Sequence, residues 1–148
     1  MHTVYLGLGT NLGDKEANLK AAIEEIRKRI GEVTSQSAFH VSEPWGFTSE
    51  HTFLNIVCCI RTIFSPVEVL HLSQDIERSL GRIKKSVNGH YSDRLIDIDI
   101  LLYDNLQINT PELTIPHPLM WQRDFVMIPL KEIAPEIISS FKPSNTHK

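Results

Sequence analysis

Asp97 and Asp99 lie in the run Leu95-Ile96-Asp97-Ile98-Asp99-Ile100-Leu101-Leu102-Tyr103, where acidic and apolar residues alternate before the chain turns wholly apolar. In a strand, residues i and i+2 share a face and sit about 6.6 Å apart along the chain. Ile96, Ile98 and Ile100 then pack on the opposite face, and two carboxylates meet on one surface. Ionised side by side they repel each other, and a divalent cation relieves that repulsion. Hard oxygen donors in this arrangement suit Mg2+, which keeps part of its water shell and recruits substrate phosphates to complete it. A solvated edge strand that happens to carry two acidic residues is the plainer alternative.

The surrounding residues favour the metal. Arg94 stands three residues before the first aspartate, Arg82, Lys84 and Lys85 occupy the preceding stretch, and His117 and Arg123 follow. A carboxylate pair beside several cations suits a metal-bound phosphate, with Arg offering fork-like donors and Lys a point charge. His117 is held between Pro116 and Pro118. The seven histidines show no zinc-ligand spacing, so His117 reads as a hydrogen-bond donor or charge stabiliser for phosphate. Neither a G-x-x-x-x-G-K-[ST] loop nor a G-x-G-x-x-G turn occurs, which removes the P-loop and Rossmann readings.

These residues need elements to hold them. Val4, Leu6 and Leu8 alternate with Tyr5, Gly7 and Gly9, the period of a strand, and Gly9 to Gly13 then breaks the pattern. A helix follows, capped by Asp14, with Leu19, Ile23, Ile26 and Ile30 on one face and Gly31 as its stop. Weak alternation from Val33 to Val41 predicts a strand that ends before Pro44, and 47–52 reads as a loop. Phe53 to Phe64, rich in Ile, Val, Phe and Thr, predicts a long buried strand in which Asn55 and Arg61 stand out. Ser65-Pro66-Val67-Glu68 places an N-cap, a proline at the first helical position and a capping-box glutamate in sequence, so a second helix starts there. Its buried stripe is Val69, Leu72, Ile76 and Leu80, with Gln74 and Glu77 together on another face. The stretch 82–94 lacks apolar periodicity and reads as a mobile basic loop. After the aspartate strand come turns at 109–111 and 115–118, a helix within 124–134, and a tail that frays beyond Phe141. The order strand, helix, strand, strand, helix, strand fits a split βαβ unit: α+β, an antiparallel sheet with its main helices on one face.

The chain of 148 residues fits one domain, 1–148, with 41% hydrophobic and 22% charged residues, an ordinary globular composition. Fifteen basic residues against 18 acidic ones leave a net charge of -3, which argues against a broad nucleic-acid-binding face. Cys58 and Cys59 are adjacent and point to opposite sides of a strand, so both are expected as reduced, buried thiols. No apolar run of signal-peptide or membrane-spanning type occurs, and a soluble, cytoplasmic monomer with no membrane or nucleic-acid partner is the expectation. The residues alone leave open another Mg2+-dependent D-x-D enzyme, such as a nucleotidyltransferase or nuclease. A noncatalytic ferredoxin-like module that binds a small effector also stays open.

A longer pattern narrows the choice. Gly9-Thr10-Asn11-Leu12, Phe53-Leu54-Asn55, Gln74 with Glu77, Gly81-Arg82, Arg94-x-x-Asp97-Ile98-Asp99-Ile100-Leu101, Pro116-His117 and Arg123-x-Phe125 occur in that order. Together they resemble the 6-hydroxymethyl-7,8-dihydropterin pyrophosphokinases of folate biosynthesis, over about residues 3 to 137. The resemblance implies a ferredoxin-like α/β sandwich that moves the β,γ-diphosphoryl group of ATP onto the pterin hydroxymethyl and releases AMP. By position it implies two Mg2+ ions on Asp97 and Asp99. Gln74, Glu77, Arg82, Lys84, Tyr91, Arg94, His117 and Arg123 would line the ATP side, with Ile100 near the adenine. Phe53 and Phe125 would sandwich the pterin, Asn55 would hydrogen-bond its polar edge as both donor and acceptor, and the segment Ser42, Glu43, Pro44, Trp45 would add backbone contacts. Arg94, Asp97, Asp99, His117 and Arg123 would carry the chemistry. Many members of the family carry Gly or Ala and then Pro before the motif's Arg, where this chain has Ser92-Asp93; Tyr91 would stand for an aromatic often found in that loop, which suits a lid over ATP.

Overall fold

The computed structural model describes residues 1–43, 52–81 and 95–136. Its sheet is built around β1 (His2–Thr10), whose Val4, Leu6 and Leu8 face one layer and Tyr5, Gly7 and Gly9 the other. β1 pairs antiparallel with β4 (Phe53–Thr62) on one side and with β5 (Asp97–Tyr103) on the other. The outer edge of β4 takes β2 (Glu32–Gln36) and β3 (His40–Ser42), also antiparallel. A separate small hairpin, β6 (Ile108–Asn109) and β7 (Thr114–Ile115), occupies the predicted turn region.

The sequence predicts a single strand over 33–41, and the structure splits it in two. Between Gln36 opposite Cys58 and His40 opposite Asn55, the outer strand uses one more residue than β4 does. Ser37 explains the step: its backbone N–H donates to the Val57 carbonyl at 2.9 Å while its Oγ accepts from the Val57 N–H at 3.0 Å. A side-chain oxygen thus replaces the backbone acceptor, and β3 leaves the break in a new register.

One face of the sheet is covered by α1 (Lys15–Arg29) and α2 (Pro66–Gly81). Leu19, Ile23 and Ile26 from α1 and Val69 and Ile76 from α2 pack there on Leu6, Ile56, Cys58, Ile98 and Ile100. Asp14 caps α1 by accepting from the Ala17 N–H at 3.2 Å. Ser65 and Glu68 form the reciprocal capping box at the start of α2, with bonds of 2.8 and 3.2 Å. Gly31 lets the chain leave α1 across β4: a Cβ there would lie 2.1 Å from the Arg61 carbonyl oxygen, so no larger residue fits.

The second face is covered by α3 (Asp124–Ile133), where Met120, Val126, Leu130 and Ala134 pack on Tyr5, Val57, Cys59, Leu101 and Leu102. The two thiols point to opposite layers, as their adjacency requires; burial pushes the Cys58 thiol up to about 12, with Cys59 adding to the effect. Between Tyr5 and Leu6 the β1–β5 register slips, so that Leu101 and Leu102 both reach the α3 layer. Among the described residues no helix is long and apolar enough to cross a membrane.

Candidate active site

The α3 face of the sheet holds a gap where β1 has no side chains. Register pairs Gly9 with Asn55 on one side and with Asp97 on the other, and pairs Gly7 with Val57 and Asp99 in the next row. Partners in an antiparallel ladder share a face, so Asn55 and Asp97 look across a bare strand. Here α3 does not fill the layer, and a cavity of about 110 Å3 remains, floored by Gly7 and Gly9. Ser42, Phe53, Asn55, Asp97, Asp99, Arg123 and Phe125 all line it.

Asp97 and Asp99 are half-buried on the cavity side, and Ile98 and Ile100 are buried in the opposite layer. This is the one-faced pair the alternation predicts. Truncating either isoleucine to Ala would cost about 2–5 kcal/mol, so the same burial that stabilises the strand also fixes the carboxylates. Glu77, from the fourth turn of α2, accepts the Ile98 N–H through Oε2 at 2.6 Å and thereby fastens the helix to β5 between the two aspartates. The described residues hold no cluster of three or more His, Cys, Asp and Glu that would enclose a metal. Two hard carboxylates facing an open cavity fit Mg2+, whose remaining ligands come from water and phosphate oxygens.

His117 follows the cis Ile115–Pro116 bond and is docked beside β5 by its N–H, which donates to the Leu101 carbonyl at 3.0 Å. Its Nδ1 accepts from the Leu119 N–H at 3.2 Å, so the neutral ring carries its proton on Nε2. Burial, and then the Arg123 charge, push the His117 pKa below its usual value, and Asp97 works in the other direction. The side chain is therefore a neutral Nε2–H donor at pH 7. Arg123 lies with its guanidinium carbon 5.5 Å from the centre of the Phe125 ring. That places a cation against the phenyl wall and near enough to His117 to act on its titration.

At the other end of the cavity Asn55 is buried, and both of its amide hydrogens are used. Nδ2 donates to the His40 carbonyl at 3.0 Å and to Ser42 Oγ at 2.8 Å. This corrects the expectation that the amide offers donor and acceptor alike: only Oδ1 is left for a ligand. Ser42 likewise enters through its side chain, beyond the backbone contact expected of it. Ile100 turns its side chain into the α1–α2 layer, so the contact with adenine expected of it is left to its backbone, on the edge of β5 that pairs with no strand among the described residues. Gln74 is exposed on α2 and does not line the cavity. Pro44, Trp45, Arg82, Lys84, Lys85, Tyr91, Asp93 and Arg94 lie outside the described residues. The glycine floor escaped the sequence reading, although Gly7 and Gly9 at strand spacing on the face opposite Leu6 and Leu8 were a signal for it.

Paired carboxylates and a guanidinium in one lining with two phenyl rings and a buried amide suit a transferase of the phosphate-handling kind. Comparison with known proteins makes this specific. The family model described as 7,8-dihydro-6-hydroxymethylpterin-pyrophosphokinase (HPPK) matches residues 5–135, and the chain belongs to that family. It is similar to the 2-amino-4-hydroxy-6-hydroxymethyldihydropteridine pyrophosphokinase of Porphyromonas gingivalis, at 52% identity over 136 residues, 91% of this chain and 92% of that one. It is also similar to a folic acid synthesis protein of Dictyostelium discoideum, at 41% identity over 135 residues, which are 91% of this chain and 20% of the longer protein. A crystal structure of an HPPK-DHPS in complex with substrates superposes with a TM-score of 0.73 at 14% identity, over 91% of this chain and 40% of that one, and shares the α+β fold. The chain is thus a pyrophosphokinase, and by fold an antiparallel sheet with flanking helices.

Proposed function

We propose that this chain transfers the β,γ-diphosphoryl group of ATP to the hydroxymethyl oxygen of 6-hydroxymethyl-7,8-dihydropterin, releasing AMP, as a step of folate biosynthesis. The observation that carries the reading is a single cavity lined at once by Asp97, Asp99 and Arg123 and by Phe53, Asn55 and Phe125. A phosphate site alone would need only the first set. A continuous sheet flanked by three helices supports reading the described residues as one domain.

In this reading Phe53 and Phe125 hold the pterin between phenyl faces, and the Asn55 carbonyl accepts from its N–H edge. The hydroxymethyl group then points toward Asp97, two strands away across Gly9. The hydroxymethyl oxygen gives up its proton to solvent and forms a bond to the β-phosphorus while the bond to the α–β bridging oxygen breaks, and the electron pair leaves with AMP. Asp97 and Asp99 would hold two Mg2+ ions, which would supply neutralising charge to the phosphate oxygens. Arg123 and the His117 Nε2–H meet the charge that moves onto the transferring group, as preorganised donors that need no reorientation. Arg94, Arg82, Lys84 and Tyr91 join the ATP side on the sequence pattern. Gln74 joins the ATP side on the sequence pattern alone, and Glu77 stands at the α2 border of the β5 edge, where it holds the Ile98 N–H.

The test is Asp97→Asn and Asp99→Asn, each assayed for Mg2+-dependent turnover and for pterin binding without nucleotide. Turnover should fall by at least a thousandfold in both while pterin binding stays measurable. Near-normal turnover in either variant would remove the carboxylate pair from the reaction.

A further inference from the structure

Asn55 presents only an oxygen to the cavity because of what lies behind it. A carbonyl oxygen can only accept, so the amide atom 3.0 Å from the His40 carbonyl has to be the nitrogen, and the orientation is not a matter of choice. The second hydrogen goes to Ser42 Oγ. Oδ1 is thereby turned over Gly9, 3.0 Å from where a Cβ on that residue would stand, on the cavity floor. Both acceptors that lock the amide belong to β3, a strand of three residues paired with β4.

So short a strand needs an anchor, and α3 provides one. Glu132 accepts the Ala38 N–H through Oε2 at 2.8 Å, and its Oε1 lies 3.0 Å from His40 Nε2. One carboxylate uses both oxygens on the residues that lead into β3. The His40 bond holds the Glu132 carboxyl below its usual range, with the Ala38 N–H adding to the effect, so it is ionised at neutral pH. Glu132 is seven residues, about two helical turns, beyond Phe125 and on the same side of α3. The helix therefore carries the phenyl wall of the cavity near one end and the clip for β3 near the other.

We propose that Glu132 and Ser42 are positioning residues that set the specificity of the ring slot: they hold Asn55 as an acceptor only, so the site selects rings that bring N–H donors to that edge. The inference rests on reading the cavity as the pterin site. Steady-state kinetics of Ser42→Ala, Glu132→Ala and Glu132→Gln test it, together with calorimetric binding of 6-hydroxymethylpterin and of its analogue lacking the 2-amino group.

Ser42→Ala and Glu132→Ala should each raise the pterin KM about three- to tenfold while the KM for ATP stays within about twofold. Glu132→Gln, which keeps an oxygen for the Ala38 N–H, should recover most of that loss. Wild-type protein should prefer the amino-bearing ring by at least tenfold, and Ser42→Ala should narrow the preference because the Asn55 amide is then held by the His40 carbonyl alone and Oδ1 is less firmly aimed. An unmoved pterin KM in both alanine variants, an equal rise for ATP, or an unchanged ring preference would overturn the proposal. If Glu132→Ala fails to fold, Ser42→Ala and Glu132→Gln decide it by the same readouts. If wild-type protein shows no saturable pterin binding, the cavity reading fails and this inference with it.

Discussion

Gly9→Ala adds one methyl group at the point where the ring slot and the carboxylates meet. Gly9 has no positive φ, so Ala is free of backbone strain there, and the loss of unfolded-state freedom should favour the folded state by about 0.4–1 kcal/mol. Against this, the new Cβ would stand 3.0 Å from Asn55 Oδ1 and 3.5 Å from Phe53 Cδ2. Asn55 is tied by two hydrogen bonds on its far side and can yield only by stretching them. The two effects offset, and the melting temperature should move by only a few degrees. Pterin affinity should not be spared, since the methyl occupies the floor of a cavity of about 110 Å3 and shifts the one oxygen that meets the ring. Crowding a close-packed site and misaligning a buried hydrogen bond together cost about 1–3 kcal/mol, or roughly 5- to 150-fold in Kd. Gly7→Ala is the internal control, because its Cβ would meet Leu101 Cδ1 at an ordinary 3.4 Å and no group that orients the ring. Calorimetry with the pterin and with an ATP analogue, on both variants, reads the difference. Unchanged pterin affinity in Gly9→Ala, or an equal loss in Gly7→Ala, would refute the assignment of Gly9 as the floor of the slot.

Phe125→Ala should weaken pterin binding by about 1–3 kcal/mol and ATP binding far less, because stacking on an aromatic face is worth that much at comparable sites; equal losses on separate titrations would make Phe125 plain core. Metal-free protein should gain stability as the pH rises toward 6.5, because His117 has a lowered pKa when folded and the unfolded chain binds more protons across that window. Urea melts in chelator at several pH values should show this slope, and His117→Gln should flatten it. Asp97→Ala and Asp99→Ala should melt no lower than wild type in the absence of Mg2+, since each removes one of two neighbouring like charges; a large loss would give the carboxylates a structural role.

What the sequence disclosed and what it hid divide along physical lines. The one-faced aspartate pair was legible because period-two alternation is local, and burial of Ile98 and Ile100 enforces it. The capping box at Ser65 was legible for the same reason. The sheet and the two helices on its first face followed from periodicity, whereas α3 on the opposite face depends on where a distant apolar stripe finds cover. The break at Ser37 is a contest between a hydroxyl and a backbone carbonyl, which residue type alone does not decide. The orientation of Asn55 follows from that break, since it sets which β3 atoms stand behind the amide. Gly7 and Gly9 read in sequence only as weak strand formers. They become a cavity floor once Asn55 and Asp97 are known to flank them.

The central claim is that one cavity brings ATP phosphates and a pterin alcohol together, and the nucleotide product tests it most directly. Protein, Mg2+ and ATP should be incubated with and without 6-hydroxymethyl-7,8-dihydropterin, and the nucleotides separated by anion exchange. The account predicts AMP in step with pterin diphosphate, and essentially none when the pterin or Mg2+ is left out. ADP as the product, or AMP formed at the same rate without the pterin, would contradict it.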